Sequence, residues 1–175
     1  VASAVIDQAD CVMLSVESAF GKYPVKAVAE MAKIIVTTEK SSFLPAHVHL
    51  SENTINKTQA IAESVYHLVL HTGAKLIVGA TKSGFTARQV AHERPRSVSL
   101  VMLTPSPKML RQIQMIWGVE AYLIPLAKNF EELMDVMVKT IRQKKLAKKG
   151  QKIIVVTGEP VGQKENLNLV EVKTI

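Results

Sequence analysis

The stretch 75–95 constrains the fold of this chain more than any other. It contains a continuous apolar run, 76–78, without the polar alternation of a strand that has one face in water. Such a run predicts a strand buried on both faces, as in a parallel sheet covered by helices. A polar turn around Gly84 follows, and apolar residues then recur at helical spacing over 87–91. The chain is therefore predicted to be an α/β protein.

Apolar runs and amphipathic segments alternate along the rest of the chain. Further strands are predicted at 98–103, 121–124 and 153–157, and helices at 58–72, 87–92, 108–116 and 129–146. This alternation implies a parallel sheet with helices on both faces. The last run, 167–172, follows too closely for a crossover helix, so it is expected to pair antiparallel with 153–157. Residues 55–175 are thus predicted to form a three-layer α/β/α domain with a mostly parallel five-stranded sheet whose last strand is antiparallel.

Residues 1–38 have the pattern of a fragment of a larger α/β body. A helix is predicted within 1–9, a buried strand at Cys11–Leu14, and a helix at about 24–36 with an apolar stripe that includes Val25 and Val28. One strand cannot form a sheet, so the stripe is expected to dock on the C-terminal domain or to drive self-association. Cys11 is expected to be a small core residue.

Residues 39–54 are polar and are predicted to be a linker. The chain has 47% hydrophobic residues, enough for a core, and its single cysteine suits a reducing compartment. No apolar run is long enough to span a bilayer. We therefore expect a cytoplasmic protein without a membrane partner.

The net charge of +7 comes from one segment. Seven cations and no acid lie between residues 139 and 152, namely Lys139, Arg142, Lys144, Lys145, Lys148, Lys149 and Lys152. Neither aromatic residues nor several glycines are interleaved with them, as a nucleic-acid surface would favour. The preferred interpretation is a solvated helix end, with no nucleic-acid partner.

The turn after the 76–79 strand is the main candidate site. It offers small, hydroxyl-bearing residues at the start of a helix, where backbone N–H groups and the helix dipole favour an anion. The candidate residues are Thr81, Lys82, Ser83, Gly84, Phe85 and Thr86. The loop with Gly158, Pro160 and Gly162 follows another parallel strand and should reach the same edge of the sheet. The alternative is a strand-to-helix turn with no ligand.

No metal site is expected in this chain. His67 and His71 are four residues apart on a predicted helix, and His47 and His49 flank Val48, but no carboxylate or thiol partner is fixed near them by sequence. Solvated surface histidines are the preferred interpretation.

Three motifs resemble those of pyruvate kinases, in that family's order and spacing. Residues 15–24, SVESAFGKYP, are similar to the S-G-E-T-A-x-G-x-Y-P signature that closes the catalytic barrel. Residues 81–87, TKSGFTA, with Arg94-Pro95, resemble the [TE]-x-S-G-x-[ST]-A…R-P segment of the C-terminal domain. Lys149-Gly150 and the later segment 157–162, TGEPVG, resemble its last hairpin. Glu165 and Leu167 depart from the family's G-x-T-N pattern and leave only Asn168.

The resemblance implies a (β/α)8 barrel, a lid domain and a C-terminal α/β domain, assembled as a tetramer. The implied reaction passes a phosphoryl group between phosphoenolpyruvate and ADP with magnesium and usually potassium. Residues 1–38 would be the last helix–strand–helix of the barrel, with Ser15 and Glu17 on the active-site rim of the parent enzyme. The 81–86 turn would be the loop for a phosphorylated effector, and Lys82 and Lys164 could hold one phosphate.

The resemblance also implies that this chain alone is inactive, because the lysine and the carboxylates that position the phosphoryl group and magnesium lie upstream of Val1 in the family. No cofactor is expected in this chain itself. Its expected partners are the missing barrel, a phosphorylated small molecule and further copies of the chain. The alternative is a free-standing, non-catalytic domain of this fold that binds a metabolite or a protein.

Overall fold

The structure is a computed structural model that describes residues 1–44, 56–163 and 165–175. The chain divides into two compact units, Val1–Val48 and His49–Ile175, here called the N-terminal unit and the C-terminal unit. The predicted linker 39–54 stays a prediction, since residues 45–54 lie outside the described part.

The described residues of the N-terminal unit, 1–44, contain three helices. They are α1 (Ala2–Ile6), α2 (Val16–Ala19) and α3 (Pro24–Glu39). Pro24 begins α3, a position where its missing N–H has no helical partner to lose. The predicted 24–36 helix is therefore present and continues to Glu39, near whose end the Thr38 hydroxyl donates a hydrogen bond to the Ile34 carbonyl over 2.8 Å.

The predicted strand at Cys11–Leu14 is wrong. The structure has no strand among residues 1–44, and Cys11 is exposed rather than part of a core. A strand needs a neighbour to accept and donate its backbone hydrogen bonds, and the described part of this unit offers none. The barrel fragment therefore stays a prediction.

Large apolar side chains of the N-terminal unit are exposed. On α3, Val25 and Val28 are 81% and 49% exposed, and Phe20 in the preceding turn is 89% exposed. Burying a valine or phenylalanine side chain stabilises a fold by about 1.5–3 kcal/mol. This unit forgoes that gain at these positions.

The C-terminal unit alternates helices and strands. In chain order they are α4 (Lys57–Thr72), β1 (Leu76–Ala80), α5 (Phe85–His92), β2 (Ser99–Thr104), α6 (Pro107–Ile113), β3 (Val119–Leu123), α7 (Phe130–Gln143), β4 (Lys152–Thr157) and β5 (Leu169–Thr174). The predicted helices at 108–116 and 129–146 end earlier than expected. After α7, Lys145 takes a positive φ of 54°, which no helix can continue through.

The five strands form one sheet in the order β3-β2-β1-β4-β5. The first four are parallel, and Val78 of β1 lies opposite Val101 of β2 and Val155 of β4. Strand β5 pairs antiparallel with β4, as predicted. The chain builds outward from β1 to β3 and then returns to the other side of β1. Ligands of open α/β sheets bind at such a reversal, outside the carboxyl ends of the strands.

Two apolar clusters cover the faces of the sheet and confirm the predicted three layers. On one face, α4, α5 and α6 pack on strand residues such as Ile77 and Met102. On the other face, α7 packs through Met137 and Ile141 on residues such as Val101. The continuous apolar run 76–78 is fully buried because helices cover both of its faces.

Side-chain caps fix where three of the helices begin. Asn56 accepts a hydrogen bond from the Gln59 amide at α4, and Ser106 accepts one from the Met109 amide at α6. At α7, Asn129 Oδ1 accepts a hydrogen bond from the Glu132 amide over 2.9 Å, and Glu132 Oε2 accepts one from the Lys128 amide, one residue before the cap, over 2.8 Å.

Candidate functional site

The loop after β1 is built around Thr81. This residue is 7% exposed, its amide donates to the Leu103 carbonyl of β2 over 2.9 Å, and its hydroxyl oxygen accepts from the Gly84 amide over 2.9 Å. Gly84 is the N-cap of α5 and gives no side-chain cap. The first amides of α5 therefore receive no capping side chain, which leaves them available to an anion.

The loop after β4 is held together by asparagine side chains. The Glu159 amide donates to Asn168 Oδ1 over 2.8 Å, and Asn168 Nδ2 donates to the Glu159 carbonyl over 2.7 Å. Asn166 Nδ2 donates to the same carbonyl over 2.8 Å. At Gly158 a Cβ would collide with the Asn166 carbonyl oxygen, so the two sides of the loop approach as closely as glycine allows. Asn168, retained from the family pattern, thus fixes the shape of this loop.

Both loops line one cleft at the carboxyl edge of the sheet. The space within it, including the part open to solvent, is about 640 Å³. A third loop, 124–127 after β3, and Pro105 after β2 complete its walls. The cleft therefore collects the ends of all four parallel strands.

Most of the predicted effector residues line this cleft. Those that do are Thr81, Lys82, Ser83, Phe85, Thr86, Gly158 and Gly162. Gly84 and Pro160 do not line it: Gly84 faces the side chains of Arg88 and Met109 instead. Lys164 lies outside the described residues.

Several lining residues were missed by the sequence analysis. They are Pro105, Ile124, Pro125, Leu126, Ala127, Val161, Gln163 and Asn166, together with Leu133 of α7 and the strand-end residues Ala80 and Thr157. Glu165, which the sequence marks as a departure from the family pattern in this loop, also lines the cleft. The loop 124–127 is apolar, so it carries no signal of chemistry. Its position directly after a predicted parallel strand is the clue that could have placed it at this edge.

Two charged side chains line the cleft among the described residues, Lys82 and Glu165. Lys82 is exposed and reaches across to the second loop, where its Nζ lies 2.7 Å from the position that a Cβ would take on Gly162. The hydroxyl-bearing residues Thr86 and Thr157 also line the cleft, at 4% and 3% exposure. A cation, hydroxyl groups and uncapped helix amides form a donor set suited to an oxyanion.

Ser15 and Glu17 belong to the N-terminal unit, at the start of α2. Glu17 Oε2 accepts a hydrogen bond from the Ser15 amide over 3.1 Å. Hydrogen bonds from the amides of Glu17 itself and of Ser15 hold the pKa of the Glu17 carboxyl below its usual value. The side chain is exposed, and its carboxyl is ionised at neutral pH because its pKa is lowered.

The other candidates lie on the surface. His67 and His71 are exposed and their rings stack 6.4 Å apart, whereas His47 and His49 lie outside the described residues. Within residues 1–44, 56–163 and 165–175, no group of three or more histidine, cysteine, aspartate or glutamate side chains could hold a metal ion. All seven cations between 139 and 152 are exposed. No helix in the described part is long and apolar enough to cross a membrane.

The C-terminal unit matches a known protein family. The family model "Pyruvate kinase, alpha/beta domain" matches residues 59–173, which include β1 to β4, all of β5 except Thr174, and every residue that lines the cleft. The chain belongs to the pyruvate kinase family. The family resemblance seen in the sequence motifs is thereby confirmed for the C-terminal α/β domain.

Curated pyruvate kinases match along the chain. The chain is 36% identical over 179 residues to the pyruvate kinase of Lactobacillus delbrueckii subsp. bulgaricus, covering 100% of this chain and 30% of that protein. It is 38% identical over 176 residues to that of Agrobacterium vitis, covering 98% and 37%. It is 35% identical over 179 residues to that of Geobacillus stearothermophilus, covering 100% of this chain and 30% of that protein. The chain spans about a third of the length of these pyruvate kinases.

Proposed function

We propose that this chain is the C-terminal regulatory and assembly portion of a pyruvate kinase and binds a phosphorylated effector at the Thr81–Thr86 turn. The observation that carries the proposal is the cleft where the strand order reverses, lined by the loops after β1 and β4. Parallel sheets bind ligands at this location.

The chemistry of the cleft supports an anion. Lys82 supplies a positive charge, and α5 begins beside it without a side-chain cap. Oxygens of a phosphate accept hydrogen bonds from an ammonium group, from amides at a helix N-terminus and from hydroxyl groups. Thr86 and Thr157 supply such hydroxyl groups at the wall of the cleft.

Phosphoryl transfer belongs, in this proposal, to the parts of the parent enzyme that these 175 residues do not include. The parent's magnesium and potassium would be bound there, and Ser15 and Glu17 would lie on the rim of its active site. An assay of phosphoenolpyruvate-to-ADP transfer with the purified chain should give no turnover above blank. Turnover that scales with the amount of chain would contradict this part of the proposal.

The N-terminal unit supports a role in assembly. Its exposed apolar side chains, such as Val25 and Phe20, are suited to contact with the missing barrel or with another copy of the chain. The parent is accordingly proposed to be a homo-oligomer.

Anion binding is tested by titrating the chain with inorganic phosphate and following its thermal unfolding. A ligand that binds the folded state raises the unfolding temperature by mass action. Lys82→Gln should weaken phosphate binding about tenfold, because a charge-assisted hydrogen bond contributes about 1.5 kcal/mol.

Lys152→Gln is the matched control, since Lys152 is exposed at the opposite end of β4 and does not line the cleft. Equal losses of phosphate affinity in the two variants would indicate an effect of the overall charge rather than a specific site, and the proposal would fail.

A further inference from the structure

Two exposed histidines lie on one face of α4. His67 and His71 are four residues apart on this helix, so about 6 Å separates them along its axis and their side chains point to the same side. Their rings are nearly parallel, with an interplanar angle of 18° and 6.4 Å between the centroids. Both imidazoles therefore face the same small volume of solvent.

Neither histidine is needed to hold α4 on the sheet. The helix packs through side chains that are at most 7% exposed, namely Ala62, Val65 and Val69, whereas both histidines are exposed. The Tyr66 ring meets the His67 ring edge-on, with 5.9 Å between the centroids, and limits the orientations that the imidazole can take. The pair is thus free of a packing role and partly oriented.

Two imidazoles at this spacing can chelate a transition metal ion. Imidazole nitrogens bind Zn²⁺ at about 2 Å, and they also suit Cu²⁺ and Ni²⁺. Residues i and i+4 are neighbours on a helix, so rotation of exposed side chains can bring both rings to one ion. Once one ring has bound, the other acts as an intramolecular ligand at a high effective concentration. Water completes the coordination, so binding does not require a third protein ligand.

The charges along α4 suit a cation at this place. The acidic Glu63 lies one turn before His67, and its Oε1 accepts a hydrogen bond from Gln59 Nε2 over 3.3 Å. The lysine of α4, Lys57, is at the other end of the helix. Lys75 follows Gly73, whose φ of 67° ends the helix, and therefore lies off this helical stripe.

We propose that His67 and His71 form a two-histidine site for a divalent transition metal ion of the zinc and copper class, on the exposed face of α4. Mg²⁺ is not bound there, because it prefers oxygen ligands. The bound ion links consecutive turns and stabilises the end of the helix. No residue of α4 lines the cleft, so this site and the proposed function stand or fall separately.

Calorimetric titration of the whole chain, untagged and freed of metal with EDTA, tests the site. The buffer is kept above neutrality, since only neutral imidazole binds a metal. Every sample carries Cys11→Ser, which removes an exposed thiol that would compete for the ion. One Zn²⁺ should bind per chain, Cu²⁺ should bind more tightly, and Mg²⁺ should not bind measurably. His67→Gln and His71→Gln should each weaken Zn²⁺ binding about tenfold or more, because a single imidazole cannot chelate.

The other histidines provide matched controls. His92→Gln removes a histidine whose side chain is 79% exposed and which has arginines, not a second histidine, four residues away on either side. His47→Gln with His49→Gln removes the pair that flanks Val48. Both variants should keep the Zn²⁺ affinity of the Cys11→Ser chain. A loss in either as large as that of His67→Gln would overturn the inference.

Electron paramagnetic resonance of the Cu²⁺-loaded chain counts the nitrogen ligands directly. The Cys11→Ser chain should show two imidazole nitrogens, and His71→Gln in the same background should show one. Identical spectra of these two proteins, or the absence of saturable binding of Zn²⁺ and Cu²⁺, would overturn the inference and leave the proposed function untouched.

Discussion

Two residues from distant parts of the chain meet at the mouth of the cleft. The Lys82 ammonium group lies where a side chain on Gly162 would begin, 2.7 Å from the Cβ position, so glycine leaves the space that the lysine occupies. Gly162 also has a φ of 95°, which residues with a Cβ rarely adopt. The position therefore depends on glycine for two separate reasons.

Gly162→Ala separates these two reasons. Its positive φ should reduce the free energy of unfolding by about 1 kcal/mol. In addition, the new methyl group should displace Lys82 and weaken phosphate binding severalfold. Chemical denaturation and phosphate titration measure the two effects.

Gly118→Ala is the control for Gly162→Ala. Gly118 has a φ of 68°, but no heavy atom lies within 4 Å of a Cβ placed there. The Gly118→Ala variant should lose a similar amount of stability and keep the phosphate affinity of the unaltered chain. If both variants bind phosphate equally well, Lys82 does not depend on the space at Gly162.

At the residue level, the sequence predicted the parts of the cleft that carry a local signal. Thr81 to Thr86 stand out because a hydroxyl-rich turn joins a buried strand to a helix within a few residues. Pro125 and Leu126 have no such signal, since apolar residues in loops look like ordinary packing. Their role depends on the order of strands in the sheet, which the sequence alone does not specify.

Among the elements, α7 illustrates how a short local pattern fixes a boundary. Asn129 caps its first turn, and Glu132 ties the preceding Lys128 amide back to the helix. The same start places Ala127 and Leu133, on either side of the cap, at the wall of the cleft.

Asn129→Ala should reduce the free energy of unfolding by about 1 kcal/mol, the usual effect of losing a cap. Asn129→Asp retains an acceptor oxygen and should lose only a few tenths of that. Urea denaturation of the two variants provides the measurement. Equal stability of Asn129→Ala and the unaltered chain would show that the cap does not stabilise α7.

The central elements of the C-terminal unit were predictable because β1, β2 and β4 are buried and amphipathic helices cover them, so tertiary packing and local pattern agree. The structure of the segment Cys11–Leu14 was predicted wrongly, because an apolar run can form a strand only beside another strand. The end of α7 at Gln143 was predicted less accurately, because the cations that follow it are compatible with either a last helical turn or a loop.

At the scale of the whole molecule, the two units differ in how well they bury their apolar residues. The C-terminal unit buries a full set on both faces of its sheet, whereas α3 presents Val25 and Val28 to solvent. An exposed apolar helix face favours association.

The chain should therefore self-associate, and Val25→Gln with Val28→Gln should weaken this association by up to about tenfold per valine, since each buried valine contributes about 1.5 kcal/mol. Sedimentation velocity over a concentration series measures the effect. Glu30→Gln with Thr37→Gln changes two exposed residues on the same helix and should leave association unaltered. A strictly monomeric unaltered chain would contradict the prediction.

The strand order has one more consequence for the molecule as a whole. Because β1 and β4 are neighbours in the sheet but far apart in the chain, a small molecule seated between their loops would act as a reversible cross-link between distant segments. Amide hydrogen exchange should then slow in 81–86 and 158–163 together, at the same ligand concentration, although neither segment is near the other along the backbone.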